Sequence, residues 1–313
     1  SLDNMVMIQN GHAFSLAKDE TKLEPSDYRF LERFLDATKA NLFFARGVMI
    51  VEGDAEGILL PTLARLIGRD FTEYGVSIVN VGGVGLRRYA RIFQRNDEKI
   101  GQIGIPVACV TDMDVMPDCA PVITGKIKKD DIWPVKGWRV KSDFSTGEID
   151  ARRQTINEKA TGQCVDTFVA DEWTLEYDLA YFGLAEDVYV AAHLAKMDDS
   201  LAKQGKDLDA VTVKTEELKA KTAFNNIKQN DGNDVSSSLT DDCDHKALLA
   251  TNVYALFTTG TKASKTISAQ YLAGALEGKK LTPDHWREVL PPYLVKAIDH
   301  VTGTVDAKPQ QDS

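Results

Sequence analysis

The sequence predicts an α/β fold: a parallel sheet flanked by helices and carrying a further helical region. Short apolar runs at 48–51, 76–81, 107–110 and 164–169 alternate with helix-length segments at 55–67 and 86–94. Buried parallel strands joined by right-handed crossovers produce that rhythm. Two of the runs stop abruptly in carboxylates, VMIVEGDAEG from Val48 to Gly57 and PVACVTDMDV from Pro106 to Val115. Those acids then lie at the carboxyl edge of the sheet, where open α/β sheets hold their ligands. Beyond residue 180 the strand-like runs give way to helical spacing at 181–197, 213–227 and 246–258.

Taken in order, residues 1–22 read as two extended pieces around the Asn10-Gly11 turn, too short to bury a core alone. Phe30, Leu31, Phe34, Leu35 and Leu42 recur at helical spacing over 26–45, with Ser26 as the expected N-cap. Between the third and fourth strands lies a polar excursion, 117–163, with one periodic stretch at 145–159. The segment 229–244 is rich in Asp, Asn and Ser and reads as a loop. Helices follow at 265–276 and 284–300, the last begun by Thr282 as N-cap and Pro283 as first helical residue. Residues 304–313 read as a disordered tail. The expected units are 1–25, a core at 26–180, a helical insertion at 181–258, closing helices at 259–303, and the tail.

Of 313 residues, 43% are hydrophobic and 27% charged, the composition of a globular protein with a substantial core. Neither a membrane-length apolar run nor a signal-peptide pattern is present, so a cytoplasmic protein is expected. A formal net charge of -10 argues against coating nucleic acid through a broadly basic surface. It leaves nucleic acid open as a substrate, because bound cations and local basic strips offset an acidic background. The four cysteines are widely spaced and read as reduced thiols. Cys243 and His245 lack a second ligand pair for zinc.

The acids carry the chemistry. Glu52 follows the first strand and Glu56 falls in the first turn of the next helix, with Asp54 between them as the expected N-cap. Asp112 and Asp114 share one side if the strand continues, and fan around a point if it turns. Either arrangement suits Mg²⁺ or Mn²⁺, which choose carboxylate oxygen and keep water ligands; for either pair alone, a solvated acidic turn is the alternative. In ADEWTLEYDLA, Glu176 is the preferred further ligand, with Thr174 on its side if the chain is extended. Glu172 and Asp178 read as solvated or helix-terminal charges. NVGGVGLRRYARIF does not complete a dinucleotide fingerprint, since Arg88 stands where its last glycine belongs. Gly83 still permits close approach of a phosphate, and Arg87, Arg88 and Arg91 offer a basic strip, or else a partly solvated basic helix face. Lys262 and Lys265 stand at a later helix start, where a lysine near a phosphate would stabilise developing charge.

A glutamate after the first strand, a glycine turn after the second and a DxD after the third resemble the Toprim domain of topoisomerases, primases and related nucleases. NLFFARGVMIVEGDAEGILLP, VSIVNVGGVGLRRYARIF and PVACVTDMD are similar to the C-terminal nuclease region of the OLD (overcoming lysogenization defect) family. The resemblance implies a Toprim-type, Rossmann-like sheet and a DNA endonuclease using two Mg²⁺ or Mn²⁺ ions per site. It implies ligands Glu52, Glu56, Asp112, Asp114 and Glu176, with Lys265 stabilising the transition state. Family members carry an ATPase domain ahead of this region, but the chain has no GxxxxGK[ST] phosphate loop. It therefore resembles a C-terminal fragment without an ATP site, residues 1–22 being the end of the ATPase domain and the helical region offering surfaces for self-association. A topoisomerase- or primase-like enzyme, for which Tyr89, Tyr177 and Tyr181 lack the distinguishing context of a nucleophile, and a non-catalytic metal-stabilised DNA-binding or assembly module are the alternatives.

Overall fold

The computed structural model describes residues 1–35, 39–127, 139–230 and 243–303. Most of the predicted 229–244 loop, part of the 117–163 excursion and the expected tail lie outside them. Strands β3 (Gly47–Val51), β4 (Val76–Asn80), β5 (Val107–Thr111) and β6 (Val165–Val169) form a parallel sheet in the order β4-β3-β5-β6. The first strand therefore sits inside the sheet, and all five of its residues are buried. Helices α2 (Asp54–Leu66), α3 (Phe71–Tyr74) and α4 (Leu86–Ala90) fill the first crossovers, while α5 (Ala120–Ile123) and α6 (Glu148–Glu158) lie between β5 and β6.

Side chains alternate across the sheet, as a period of two requires. Met49, Val51, Ala108 and Val110 face Leu59, Leu60 and Leu63 of α2, whereas Val48, Ile50, Val107 and Cys109 face Leu31, Tyr89, Ile92 and Phe93. Both faces are thus covered, which explains why the central strands read as unbroken apolar runs. The hairpin β1 (Val6–Gln9) and β2 (His12–Ser15) turns at Asn10-Gly11, and it adds Met7 to the second face alongside neighbouring Leu16. Tyr28 of α1 (Pro25–Phe34) fastens this segment by donating to the Leu16 carbonyl at 2.8 Å.

Several boundaries differ from the sequence expectation. α1 is capped by Glu24 rather than Ser26, because Pro25 takes the first helical position and Asp27 Oδ2 accepts the Glu24 N–H at 3.0 Å. It also ends at Phe34, short of residue 45. The 86–94 helix becomes α4 followed by a tighter turn at Arg91–Phe93. The last helix is two, α12 (Pro283–Val289) and α13 (Pro292–Thr302), because Pro291 and Pro292 cannot donate to a helical ladder and Leu290 is forced extended. Thr282 caps α12 as expected, accepting from the His285 N–H.

The helical region is not set apart from the sheet. α7 (Leu175–Leu179) runs through a π-type turn at Ala180–Leu184 into α8 (Ala185–Ala202), and α9 (Ala210–Asn230), α10 (His245–Ala255) and α11 (Lys265–Glu277) follow. Residues from Met49 to Val301 share one core, with α11 packed against both α2 and α8. α13 lies so close to β3 that a Cβ on Gly47 would come within 2.2 Å of the Val301 carbonyl oxygen. Gly47→Ala is accordingly expected to destabilise the fold by about 2–3 kcal/mol, the usual scale of overpacking a core. A urea melt of the variant checks this; a midpoint within error of the parent's would show that α13 is free to move.

Candidate metal centre

The site begins where β3 and β5 stop. Their register pairs Ile50 with Cys109, and continuing it sets Glu52 across from Thr111. Thr111 Oγ1 donates to Glu52 Oε2 at 2.6 Å, so the strand next door orients the first acid. Gly53 follows as the N-cap of α2, and a Cβ there would stand 2.5 Å from Glu56 Oε2. Only glycine lets the Glu56 carboxylate fold back over this turn. Asp54 is therefore not the cap: it is the first helical residue, and it accepts from Asn80 Nδ2 at 2.6 Å, tying α2 to the end of β4.

Beyond β5 the chain turns rather than continuing straight. Asp114 takes a left-handed conformation, φ 56°, which aspartate tolerates better than most residues. The two aspartates consequently fan apart, Asp112 half-buried and Asp114 exposed. Burial first, then the nearby Glu176, Glu56 and Asp114 carboxylates, push the Asp112 carboxyl well above its ordinary range, with Lys265 acting against them. Burial likewise raises Glu56, helped by Glu176 and Glu52 and opposed by a backbone hydrogen bond and Lys265.

The remaining groups arrive from the helical side. Thr174 is the extended N-cap of α7, so Thr174 and Glu176 do not lie along one extended strand as the spacing suggested. Thr174 Oγ1 is buried and makes no well-formed hydrogen bond, although the Tyr254 hydroxyl is near enough to interact. Glu176 is buried and accepts from Lys265 Nζ at 2.8 Å. Lys265 opens α11, whose Ser264 cap accepts from the Ile267 N–H, and its ammonium lies 5.6 Å from the Tyr254 ring centroid. Desolvation works against its charge, but Glu176, Tyr254 and Asp112 outweigh it and hold the ammonium above its ordinary value. The side chain is 44% exposed, so water screens part of this attraction.

A cleft of about 530 Å³ opens over the sheet edge, lined by Glu52, Asp112 and Asp114 together with Gly83, Arg87, Arg152 and Lys159. A second, of about 520 Å³, shares Asp114 and Arg152 and continues past Arg139 to Tyr254. Together they make one trough. Glu176 and Lys265 line neither cleft but border a small apolar pocket between α2 and α11, close enough to Asp112 and Glu56 to act on both. Among the described residues no three acidic, histidine or cysteine side chains converge as a ready-made ion cage. The donor set nevertheless suits a hard divalent cation: carboxylate oxygens, mutually repelling and short of counter-charge, on a trough with room for the waters such ions retain.

Further residues find surroundings other than those the sequence suggested. Arg88 and Arg91 do not face the trough, because Asp27, fully buried on α1, draws both: Arg91 Nη1 lies 2.8 Å and Arg88 Nε 3.6 Å from its carboxylate. Arg88 also stacks its guanidinium 4.4 Å from the Phe30 ring. Lys262 is exposed ahead of α11 and lines neither cleft. Asp178 is fully buried rather than solvated, accepting the Glu172 and Trp173 N–H groups, and burial pushes it up to about 7. Glu172 pairs with Lys141. Conversely, Arg152 and Lys159, in and just after α6, line the trough but lay in a stretch that offered no motif; their spacing on a helix was the only available signal.

The segment bearing four of these acids carries the family match. Residues 43–114 match the model of the overcoming lysogenization defect protein-like TOPRIM domain. This segment is similar to an OLD-like TOPRIM domain. The TOPRIM match contains Glu52, Glu56, Asp112 and Asp114, and it ends before Glu176 and Lys265. Among solved structures, the C-terminal region of the Burkholderia pseudomallei OLD protein is 20% identical, with 83% of this chain and 98% of that one covered and a TM-score of 0.41. For the C-terminal region of the Xanthomonas campestris pv. campestris OLD protein phased with platinum, the values are 20%, 84%, 94% and 0.40. No curated protein matches the chain.

Proposed function

We propose that this OLD-like TOPRIM protein is a Mg²⁺- or Mn²⁺-dependent DNA endonuclease that hydrolyses phosphodiester bonds at the carboxyl edge of its sheet. The observation that carries the reading is the half-buried, under-compensated charge on Asp112 and Glu56 beside a trough lined by cations. Glu52, Glu56, Asp112, Asp114, Glu176 and the Thr174 hydroxyl are the residues that would hold two ions. Such ions activate a water and steady the leaving oxygen of an in-line displacement. Thr111 holds Glu52 in place. Lys265, kept charged by Glu176, supplies positive charge where the phosphate gains negative charge.

Arg87, Arg152 and Lys159 form no ion pair with an acid among the described residues, so they are the groups we assign to DNA phosphates, with Gly83 allowing close approach. Replacing Arg152 and Lys159 together by Glu is expected to lower the salt slope of duplex binding by about 2, near 0.9 for each phosphate that is no longer neutralised. Arg88→Ala should leave that slope unchanged, since Asp27 already engages it. Fluorescence anisotropy across a salt series reads both; equal slopes in the double variant and the parent would remove the trough from the reading.

The strand-passing alternative is weakened by its nucleophiles. Tyr89 and Tyr177 are buried, and the Tyr89 hydroxyl donates to the Phe34 carbonyl at 2.9 Å. Tyr181 lies instead against a pocket between α8 and α10. An upstream ATPase domain, self-association through the helical region and a cytoplasmic setting belong to the same proposal; no helix among the described residues is long and apolar enough to cross a membrane. The direct test is supercoiled plasmid incubated with the chain and Mg²⁺ or Mn²⁺, with a chelator control. Nicked and linear products that vanish with chelator are expected. Intact plasmid with either ion would overturn the nuclease assignment.

A further inference from the structure

Two of the four free cysteines, distant in sequence, meet away from the acidic edge. Cys119 follows the Asp114 turn, and Cys243 stands just ahead of α10. The Cys119 backbone N–H donates to Cys243 Sγ at 3.2 Å across a separation of 124 residues. The Cys119 thiol also lies within hydrogen-bonding reach of Cys243, and the Asp118 amide reaches the same sulfur. Thr251 also borders the pair: its hydroxyl donates to the Ala247 carbonyl at 2.6 Å and its oxygen lies 3.4 Å from Cys119 Sγ. Two backbone amides thus donate to the Cys243 sulfur beside the single Cys119 thiol proton, and the Asp118 carboxylate is the nearby charge that opposes its ionisation.

The two sulfurs are unequal. Cys243 is half-buried and Cys119 fully buried. The Cys119 thiol lowers the Cys243 thiol from its ordinary value, against burial and with help from the two amides. The bond to Cys243 and burial drive Cys119 upward. Burial also raises Cys109, and raises Cys164 to about 11. A partly accessible sulfur favoured as thiolate beside a shielded second thiol is the arrangement of an oxidation-sensing pair.

We propose that Cys243 and Cys119 are a hydroperoxide-responsive dithiol, Cys243 reacting first and Cys119 resolving it to a disulfide. In the first step the Cys243 thiolate attacks the distal peroxide oxygen, the O–O bond breaks, and the departing oxygen takes a proton to leave as water or alcohol. Cys243 is then a sulfenic acid. Cys119 attacks its sulfur, the S–O bond breaks, and the Cys119 proton leaves with the hydroxide as a second water. Two thiols are oxidised by two electrons and one peroxide is reduced. The bridge joins the segment that follows Asp114 to the helix that carries Tyr254, the two sides of the second cleft.

The test exposes the reduced chain to equimolar hydrogen peroxide, alkylates it under denaturing conditions and maps the peptides by mass spectrometry. A Cys119–Cys243 cross-linked peptide is expected, with Cys109 and Cys164 alkylated, and dithiothreitol should restore all four thiols. The oxidised protein should melt at a higher temperature than the reduced one, since a bridge over so long a loop restrains the unfolded chain. In Cys119→Ser, dimedone should trap the Cys243 sulfenic acid. Cys243 oxidised no faster than Cys164, or oxidised without pairing to Cys119 in the unmodified chain, would overturn the proposal.

Discussion

Asp112→Asn is expected to abolish metal-dependent cleavage, by at least about 10³-fold, while raising the melting temperature of the metal-free protein. Both effects have one cause. Asp112 is held close to Glu56, Glu176 and Asp114, and partial burial withholds some of the water that would soften their repulsion. A carboxyl whose folded-state pKa is raised contributes stability below its unfolded value and loses that contribution as pH rises through the folded one. Above that folded-state value, therefore, the ionised group works against the fold. Asparagine keeps the shape and removes the charge, which should add about 1 kcal/mol, or roughly 2 °C in a protein of this size. Saturating Mn²⁺ should stabilise the parent, by about 2.7 kcal/mol at a hundredfold excess over Kd, and should stabilise the variant much less. Thermal melts with chelator and with Mn²⁺, beside a plasmid assay, check all three statements. Retained cleavage would remove Asp112 from the centre, and a lower chelator-state melting temperature would show that its charge is already compensated.

Lys265→Ala should give the opposite pattern in stability. Removing the ammonium leaves Glu176 buried with its partner gone and withdraws the one opposing charge that Asp112 and Glu56 share. The chelator-state melting temperature should fall, and Mg²⁺ or Mn²⁺ should restore more of it than in the parent, because more negative charge then awaits the ion. Turnover at saturating metal should fall about 10²–10³-fold, the scale of losing one transition-state donor. Tighter metal response with lost turnover separates a role in the transition state from one in gathering the ligands. If excess metal restored full turnover, Lys265 would only be arranging Glu176.

How much of this was legible follows from distance along the chain. The four strands were readable because each is a short apolar run, the central two buried on both faces, and the acids at their ends because a strand that stops in carboxylates is a local signal. Partners far apart were not readable. Arg88 and Arg91 look like an available basic strip until α1 brings Asp27 to them from 64 residues away in the case of Arg91. Asp178 looks solvated until its carboxylate is seen to hold the turn into α7. Arg152 and Lys159 occupy a stretch whose only pattern is helical, and nothing local says that its helix borders the trough. The proline break before α13 was there to be read, but continuing hydrophobic spacing on either side concealed it.

The ion pair between Glu176 and Lys265 spans 89 residues. A ribosome releases the whole acidic edge, and the TOPRIM segment with it, well before it releases the lysine. Until α11 docks against α2, Glu176 lacks its partner and Asp112 and Glu56 lack the ammonium that opposes their repulsion. A chain truncated ahead of α11 would retain every acid of the proposed centre and lack the group that balances them. Competence to cut DNA would then arise only after the last helices fold, a safeguard of timing written into the order of the elements.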